Sequence, residues 1–445
     1  MSTPLLGAVE EYLRKDRARF HMPGHKGLAL PVIGQAAAYD ITEVEGADSL
    51  YEASEAIAET ERRYAALYGA AGSFLSAGGS TLCIQAMLAL AAPPGSRLLV
   101  GRGAHTAAIN AMALLDLHPV WLYPDMDAVT GLPMALTAPM VRAALAEQPD
   151  ILGVYLTSPD YFGTIAEIEQ IAAVCCEHHI PLLVDNAHGA HLAFCEPSLH
   201  PIRLGADLCA DSLHKTLPVL TGGALLHSGS PRFLAGAKRA MALFGSTSPN
   251  YLVLLSADAA LPYLQTKAAA DFAYCAQRIA ALKTKASAIG YLLPTGVIDP
   301  YRLTLGFGGI GYTSAEFGQK LRACGIEPEY LSDRFCVLMA SGFTTAQNFD
   351  RLEQALDNIP PRRALAAPPL QAVQHPQKAC SLREAALAPF QTLPLEQAIG
   401  GVASRAVTPC PPGIPVVVPG EIVDEAVCAL LKNGGISHVD VVVYK

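Results

Sequence analysis

The chemistry-bearing residues cluster around Lys215, in the stretch Asp211-Ser-Leu-His-Lys215-Thr-Leu-Pro-Val-Leu-Thr-Gly-Gly223. Its amine follows a histidine in an apolar, small-residue setting beside Gly222 and Gly223. Upstream lies Leu182-Leu-Val-Asp185-Asn-Ala187-His188-Gly-Ala-His191, an apolar strand pattern ending in a carboxylate. A lysine amine can condense with an aldehyde, and a strand-end aspartate can keep a pyridine nitrogen protonated, so the pair points to pyridoxal phosphate (PLP). Alone, Lys215 reads as a surface lysine and Asp185 as a turn residue or helix cap. The two in this order, with a Gly/Ser/Thr loop upstream, reverse those odds.

That loop is Ser73-Phe-Leu-Ser-Ala-Gly-Gly-Ser80-Thr81, followed by a helical pattern over residues 82–90. Strand, small-residue turn and helix make a phosphate cradle from first-turn amides and hydroxyls. A plain N-cap by Ser80 or Thr81 is equally consistent with the pattern. Strands are predicted at 97–100, 120–123, 151–156, 181–184, 208–210 and 223–227, with helices over 106–115, 137–147 and 165–178. Repeated β–α alternation with Leu/Val-rich strands implies a mainly parallel, buried sheet flanked by helices. Ligands of such sheets bind at the carboxyl ends of the strands. Thr81, His105, Ser158, Asp185 and Lys215 all fall just after predicted strands.

Around this core, residues 1–48 read as an N-terminal arm: an amphipathic helix over 5–19, then the loop Phe20-His-Met-Pro-Gly-His25-Lys26-Gly27, which is either a turn or part of a site. An acidic extended stretch, Asp40-Ile-Thr-Glu-Val-Glu-Gly46 and Asp48, and a helix over 53–68 follow. A polar turn at 244–251 precedes one long helical region, 251–289. Residues 300–357 alternate β–α–β–α, 359–377 look like a Pro/Ala/Gln-rich linker, and the last segment holds a helix over 381–389, a helix over 422–433 and a strand over 439–444. The expected domains are an arm (1–48), a cofactor-binding large domain (49–290), a small α/β domain (291–365) and a C-terminal domain (366–445).

The composition, 51% hydrophobic and 16% charged with a net charge of −9, is that of a well-packed globular protein. The charge and the lack of a Lys/Arg block argue against general binding to nucleic acid or anionic membrane. No apolar run reaches 18 residues and no signal peptide is expected. The eleven cysteines are scattered without a CxxC, which reads as reduced core thiols in the cytoplasm. Nothing resembles a zinc site or a serine hydrolase: HExxH and GxSxG are both absent.

The chain resembles the Orn/Lys/Arg decarboxylases, bacterial PLP enzymes acting on basic amino acids. The resemblance rests on His21-Met-Pro-Gly-His-Lys-Gly27, Asp40-Ile-Thr-Glu-Val-Glu-Gly46, Gly79-Ser-Thr81, Asp185-Asn-Ala-His-Gly-Ala-His191, Ser212-Leu-His-Lys-Thr-Leu-Pro218, Ser246-Thr-Ser-Pro249, and Pro411-Pro-Gly-Ile-Pro415 with Pro419-Gly-Glu421. It implies the aspartate-aminotransferase-like PLP fold type I, an α/β architecture with a smaller α/β C-terminal part, in the short form lacking an N-terminal wing domain. Under it Lys215 carries the cofactor and Asp185 faces its ring nitrogen. Ala187 packs under the ring and His105 over it; His188 lies near cofactor or substrate. Ser80, Thr81, Ser212 and His214 hold the phosphate, joined by Ser246 and Thr247 reaching a neighbouring subunit's site, so a homodimer or larger homo-oligomer is implied. His25 and Lys26 belong to a substrate-side loop. Glu421 is either the acidic partner of a basic substrate or a helix-start carboxylate.

Three departures stand out: Thr106 replaces a lysine often found after the stacking histidine, Asn186 stands where an acidic residue is common, and Leu213 replaces a small polar residue. None removes a required group. The expected reaction is decarboxylation of arginine, with lysine and ornithine close behind, and Lys215 or His214 returning the proton. The rivals are a transaminase or lyase on the same fold, and a silent PLP-fold binding protein.

Overall fold

The computed structural model describes residues 3–15, 18–19, 21–365, 375–409 and 414–444. The chain divides into two compact units, residues 1–91 with 181–272, and residues 92–180 with 273–445. In chain order the strands are β1 (Gly72–Ser76), β2 (Arg97–Gly101), β3 (His118–Leu122), β4 (Ile151–Thr157), β5 (Leu182–Asp185), β6 (Leu208–Ser212), β7 (Ala224–Ser228), β8 (Arg302–Gly306), β9 (Tyr330–Leu331), β10 (Phe335–Met339), β11 (Phe390–Pro394) and β12 (His438–Val442).

In the first unit the order is β1-β7-β6-β5. Strands β5 and β6 are parallel, and β7 runs antiparallel to both β6 and β1. In the second unit β4-β2-β3 are all parallel. Strands β5, β6 and β7 are buried at every position, which is why they read as continuous apolar runs rather than alternating ones. The second unit also holds an antiparallel sheet, β8-β10-β9, and the antiparallel pair β11-β12. The β12 residues Val439 and Val441 pack with Val417, Val423, Val427 and Leu431 into a separate apolar cluster.

Helix starts carry the expected chemistry. Asn250 Oδ1 accepts the Val253 N–H at 3.2 Å, and Thr313, Thr345 and Ser381 each form a capping box. Several expected bounds are refined. The long helical region expected over 251–289 resolves into two helices, Tyr251–Thr266 and Ala268–Ile289, parted at Lys267, whose φ of −125° leaves the helical range. The first helix is Pro4–Arg14; residues 16, 17 and 20 lie outside the described set, as do 366–374 of the expected linker and 410–413 of the Pro-Pro-Gly motif. The helix expected over 381–389 ends at Leu387, because Phe390–Pro394 pairs with β12 instead.

Asp48 shapes the entry to the helix Ala56–Tyr68. Its carboxylate accepts the N–H groups of Ser49, Ser54, Glu55 and Ile57 at 2.9–3.1 Å. Burial pushes this carboxyl up, but those backbone N–H groups outweigh it and hold its pKa below the ordinary value. In the second unit, Arg102 lies just beyond β2 with no exposure. Its guanidinium grips Glu421 bidentately, at 2.6 and 2.7 Å, and donates from Nε to the Pro415 carbonyl at 3.0 Å. Trp121 and Tyr123 stack against it at 4.9 and 5.3 Å. Glu421, 4% exposed, also accepts the Val418 N–H at 2.9 Å. A planar fork is the one cationic side chain that can fill a carboxylate so fully, and only full pairing offsets the desolvation of both ions.

Two outcomes are expected. Glu421→Ala strands a buried guanidinium and lowers unfolding free energy in urea by roughly 3 kcal/mol or more; a loss under about 1 kcal/mol contradicts a dry, buried pair. Asp48→Ala costs about 1–2 kcal/mol at neutral pH. Because the folded-state pKa of Asp48 is depressed, its contribution is present above the unfolded-state value and fades as pH falls, so the wild-type and variant stability curves converge in acid.

Candidate active site

Strand β6 ends at Ser212, which caps a single helical turn, Leu213–Thr216. That turn carries Lys215. His214 bonds twice to the Gly223 carbonyl, through its backbone N–H at 3.3 Å and its ring Nδ1–H at 3.0 Å. The loop returns through Gly222 at φ +98°, where a side chain would also press on the Ala77 carbonyl, 3.3 Å from its Cβ. The exposed Lys215 Nζ lies 2.9 Å from His188 Nε2.

Asp185 is the last residue of β5 and only 1% exposed. Parallel pairing sets it beside Ala210 of β6, and it accepts the Ala187 N–H at 3.1 Å. Ala187 is buried and His188 half-buried. The β5 end thus supplies Asp185 and His188, and the β6 end supplies Ser212, His214 and Lys215.

The Gly/Ser/Thr loop completes this group within the first unit. Ser76 Oγ closes the turn by accepting the Gly78 N–H at 3.0 Å, and the Gly222 carbonyl takes the Gly79 N–H at 2.8 Å. The helix Gly79–Ala91 starts here, and its first-turn amides have no intrahelical acceptor. Ser212 Oγ donates to Ser80 Oγ at 2.8 Å, so the hydroxyls from β6 and the helix start converge. Thr81 is exposed on the same turn. Hydroxyls at a positive helix end, a buried strand-end carboxylate and a lysine amine are the donor set that a phosphorylated pyridine aldehyde needs, so the residues fit PLP.

Other candidates sit apart from these direct contacts. Ser246 and Thr247 are exposed in the loop before Asn250, where Ser246 Oγ accepts the Ser248 N–H at 3.1 Å. His25 bonds Asp40 at 3.1 Å and accepts the Gly27 N–H at 3.0 Å, while Lys26 Nζ donates to the His21 carbonyl at 2.6 Å. In the second unit, exposed His105 caps the helix Thr106–Leu115 through Nδ1, which accepts the Ala107 N–H at 3.1 Å. Glu421, offered by sequence as a substrate carboxylate or a helix-start charge, has both oxygens engaged by Arg102.

Sequence reasoning passed over a buried polar cluster behind β6. Asp211 accepts from Asn186 Nδ2 at 2.7 Å and from His200 Nε2 at 2.9 Å, with His227 Nε2 3.3 Å away. Burial pushes the Asp211 carboxyl up, but His200 and His227 overcome this and hold it well below the usual carboxylate range. Burial pushes the neighbouring Cys209 thiol far up, so it is no nucleophile at neutral pH. His200, Cys209 and Asp211 offer three ligand atoms within 4.8 Å of one another, but the carboxylate oxygens already receive donors from the protein. The available signal was an aspartate following the apolar run Leu208-Cys209-Ala210 in a fully buried strand.

Comparison with known proteins bears on the family and the fold. Residues 3–290 match the Orn/Lys/Arg decarboxylase major domain, and residues 362–433 match the C-terminal domain of the same family. The chain is 30% identical to an arginine decarboxylase of Halalkalibacterium halodurans, over 97% of this chain and 93% of that protein. A lysine decarboxylase of Francisella novicida superposes with a TM-score of 0.83 at 16% identity, covering 99% of this chain and 81% of that one. A serine palmitoyltransferase of Sphingomonas wittichii superposes with a TM-score of 0.57 at 15% identity, covering 81% and 84%. The architecture is PLP fold type I. With both of its family domains matched in order along one chain, this protein belongs to the Orn/Lys/Arg decarboxylase family.

Proposed function

We propose that the protein removes CO₂ from a basic L-amino acid, arginine first and then lysine or ornithine, to leave the corresponding amine. The observation that carries this reading is the Lys215 amine held 2.9 Å from His188 Nε2, on a strand end paired beside the one that bears Asp185. Support for arginine comes from the arginine decarboxylase relative.

PLP, when bound, supplies the electron sink that makes loss of CO₂ feasible. Lys215 would hold it through Nζ, and Asp185 would hold its ring nitrogen. Ser80, Thr81, Ser212 and His214 would take the phosphate at the positive end of the helix Gly79–Ala91, with Ala187 beneath the ring and His105 above it. His188 Nε2 orients the Lys215 amine and can exchange a proton with Nζ. Lys215 Nζ, or the His214 ring, returns the proton to the substrate carbon. His25 and Lys26 line the substrate side.

Ser246 and Thr247 serve the site of a second copy, making the protein a homodimer or larger homo-oligomer. The exposed apolar side chains of the 22–33 loop, Met22, Leu28, Val32 and Ile33, at 47–103% exposure, are the kind of surface such an assembly covers. The domain limits follow as 1–48, 49–290, 291–365 and 366–445. The described cysteines are free thiols, and no helix among the described residues is long and apolar enough to cross a membrane. A cytoplasmic setting and polyamine synthesis as the use of the amine product belong to the same proposal.

The test is CO₂ release and amine formation from arginine, lysine and ornithine side by side, with added PLP. Arginine should give the highest kcat/KM. Keto acid in place of amine would make the protein a transaminase. A protein that stays colourless with PLP would be a silent member of the fold. Lys215→Ala should lose the visible absorption band and about 10³-fold or more in kcat, whereas Asp185→Asn should keep the fold and lose roughly 10²-fold or more.

A further inference from the structure

The cluster behind β6 is expensive. Asn186, His200, Asp211 and His227 are all at 0% exposure, and a buried ion pair is often no more stable than apolar side chains of the same volume. What a charged acceptor adds over an apolar contact is direction: its hydrogen bonds are short and fix the donor's orientation. The donors to Asp211 are therefore informative.

On β5 successive side chains leave on opposite faces. Asp185 ends the strand, and Asn186, whose N–H bonds the Ala210 carbonyl at 3.0 Å, sends its amide to Asp211 Oδ1 at 2.7 Å. Among the described residues Asn186 Oδ1 has no hydrogen-bond partner, so this donor bond is what orients the side chain. Asp211 is itself braced. His200 donates from Nε2, because its Nδ1 accepts the Ile202 N–H at 3.4 Å. His227 is fixed through Nδ1 to Ser73 Oγ at 2.7 Å. The Tyr68 ring packs against both imidazoles, 4.8 and 4.5 Å between centroids, and its hydroxyl donates to the Ala190 carbonyl at 3.0 Å. Asp211 opens the segment that ends in Lys215, and Asn186 directly follows Asp185. The Asn186–Asp211 bond therefore ties together the two strand ends that carry the ring-nitrogen carboxylate and the lysine.

We infer that Asp211 and Asn186 are positioning residues, which set the Asp185 carboxylate in register with the Lys215 turn. This rests on the PLP reading above. Neither residue needs to touch the cofactor; Asn186 acts through the backbone of Asp185, and Asp211 through Asn186.

The experiment measures PLP dissociation by absorbance titration at 25 °C on the full chain, with apo-protein melting temperature and the kcat and KM of decarboxylation alongside. Asn186→Ala should weaken PLP binding about tenfold and lower kcat more than it raises KM, the scale of one lost charge-assisted bond. Melting falls a few degrees whether the role is structural or positional, so PLP affinity is the deciding readout. Asn186→Asp sets two carboxylates together and should weaken PLP at least as much. Adding Asp211→Asn rebuilds a carboxylate–amide pair and should recover affinity to within about threefold of wild type. PLP affinity of N186A within about twofold of wild type, or additive losses in N186D/D211N, overturns the inference. If D211N variants fail to fold, N186A alone decides. Wild-type protein that takes up no PLP overturns the function proposal and this inference together; tight wild-type binding unaffected by N186A overturns this one alone.

Discussion

The parallel pairing of β5 with β6 is the constraint on which the rest depends. Its register puts Leu183 against Leu208, Val184 against Cys209 and Asp185 against Ala210. Parallel strands end on the same edge of the sheet, so the carboxylate closing β5 and the helical turn leaving β6 emerge side by side. A slip of one residue would turn Asp185 to the rear and send Asn186 forward, exchanging a carboxylate for an amide on the face that Lys215 shares. Complete burial of both strands opposes such a slip, since the residues that would move are packed on both faces.

Buried charge in this protein is placed where the chain must be held in one arrangement. Arg102 and Glu421 join the segment beyond β2 to the loop around Val418 with two charge-assisted bonds and further bonds to backbone, stacked under two aromatic rings. Asp211 is served by Asn186, His200 and the Cys209 thiol. In both places the carboxylate's lone pairs are filled from several directions. An apolar substitute would pack as well, but it would not fix the angle at which one segment meets another.

The candidate site uses cheaper means. Its hydroxyls sit at a helix start, where backbone amides need acceptors in any case. Its lysine stands on a single turn that is too short to be stable alone and is held by the two bonds of His214 to the Gly223 carbonyl. His188 meets Lys215 because the loop after Asp185 turns back across the sheet edge.

Much of this was written locally in the sequence. The β–α alternation, the strand-end position of Asp185, the Gly79-Ser-Thr81 helix start and the Lys215 turn depend on hydrophobic period and turn residues, which act over a few neighbours. The break at Lys267 was hidden because both helices around it carry continuous apolar faces, and β11 was hidden because its pairing partner lies some fifty residues away at β12. Glu421 shows the same divide most clearly: by sequence it was an acid near a Pro-Gly turn, and only folding brought Arg102 to it from more than 300 positions away. The sequence by itself determined which residue types end which strands. Tertiary structure decided which charges meet, because a partner for a buried ion is chosen by distance in space, and no local pattern records that distance.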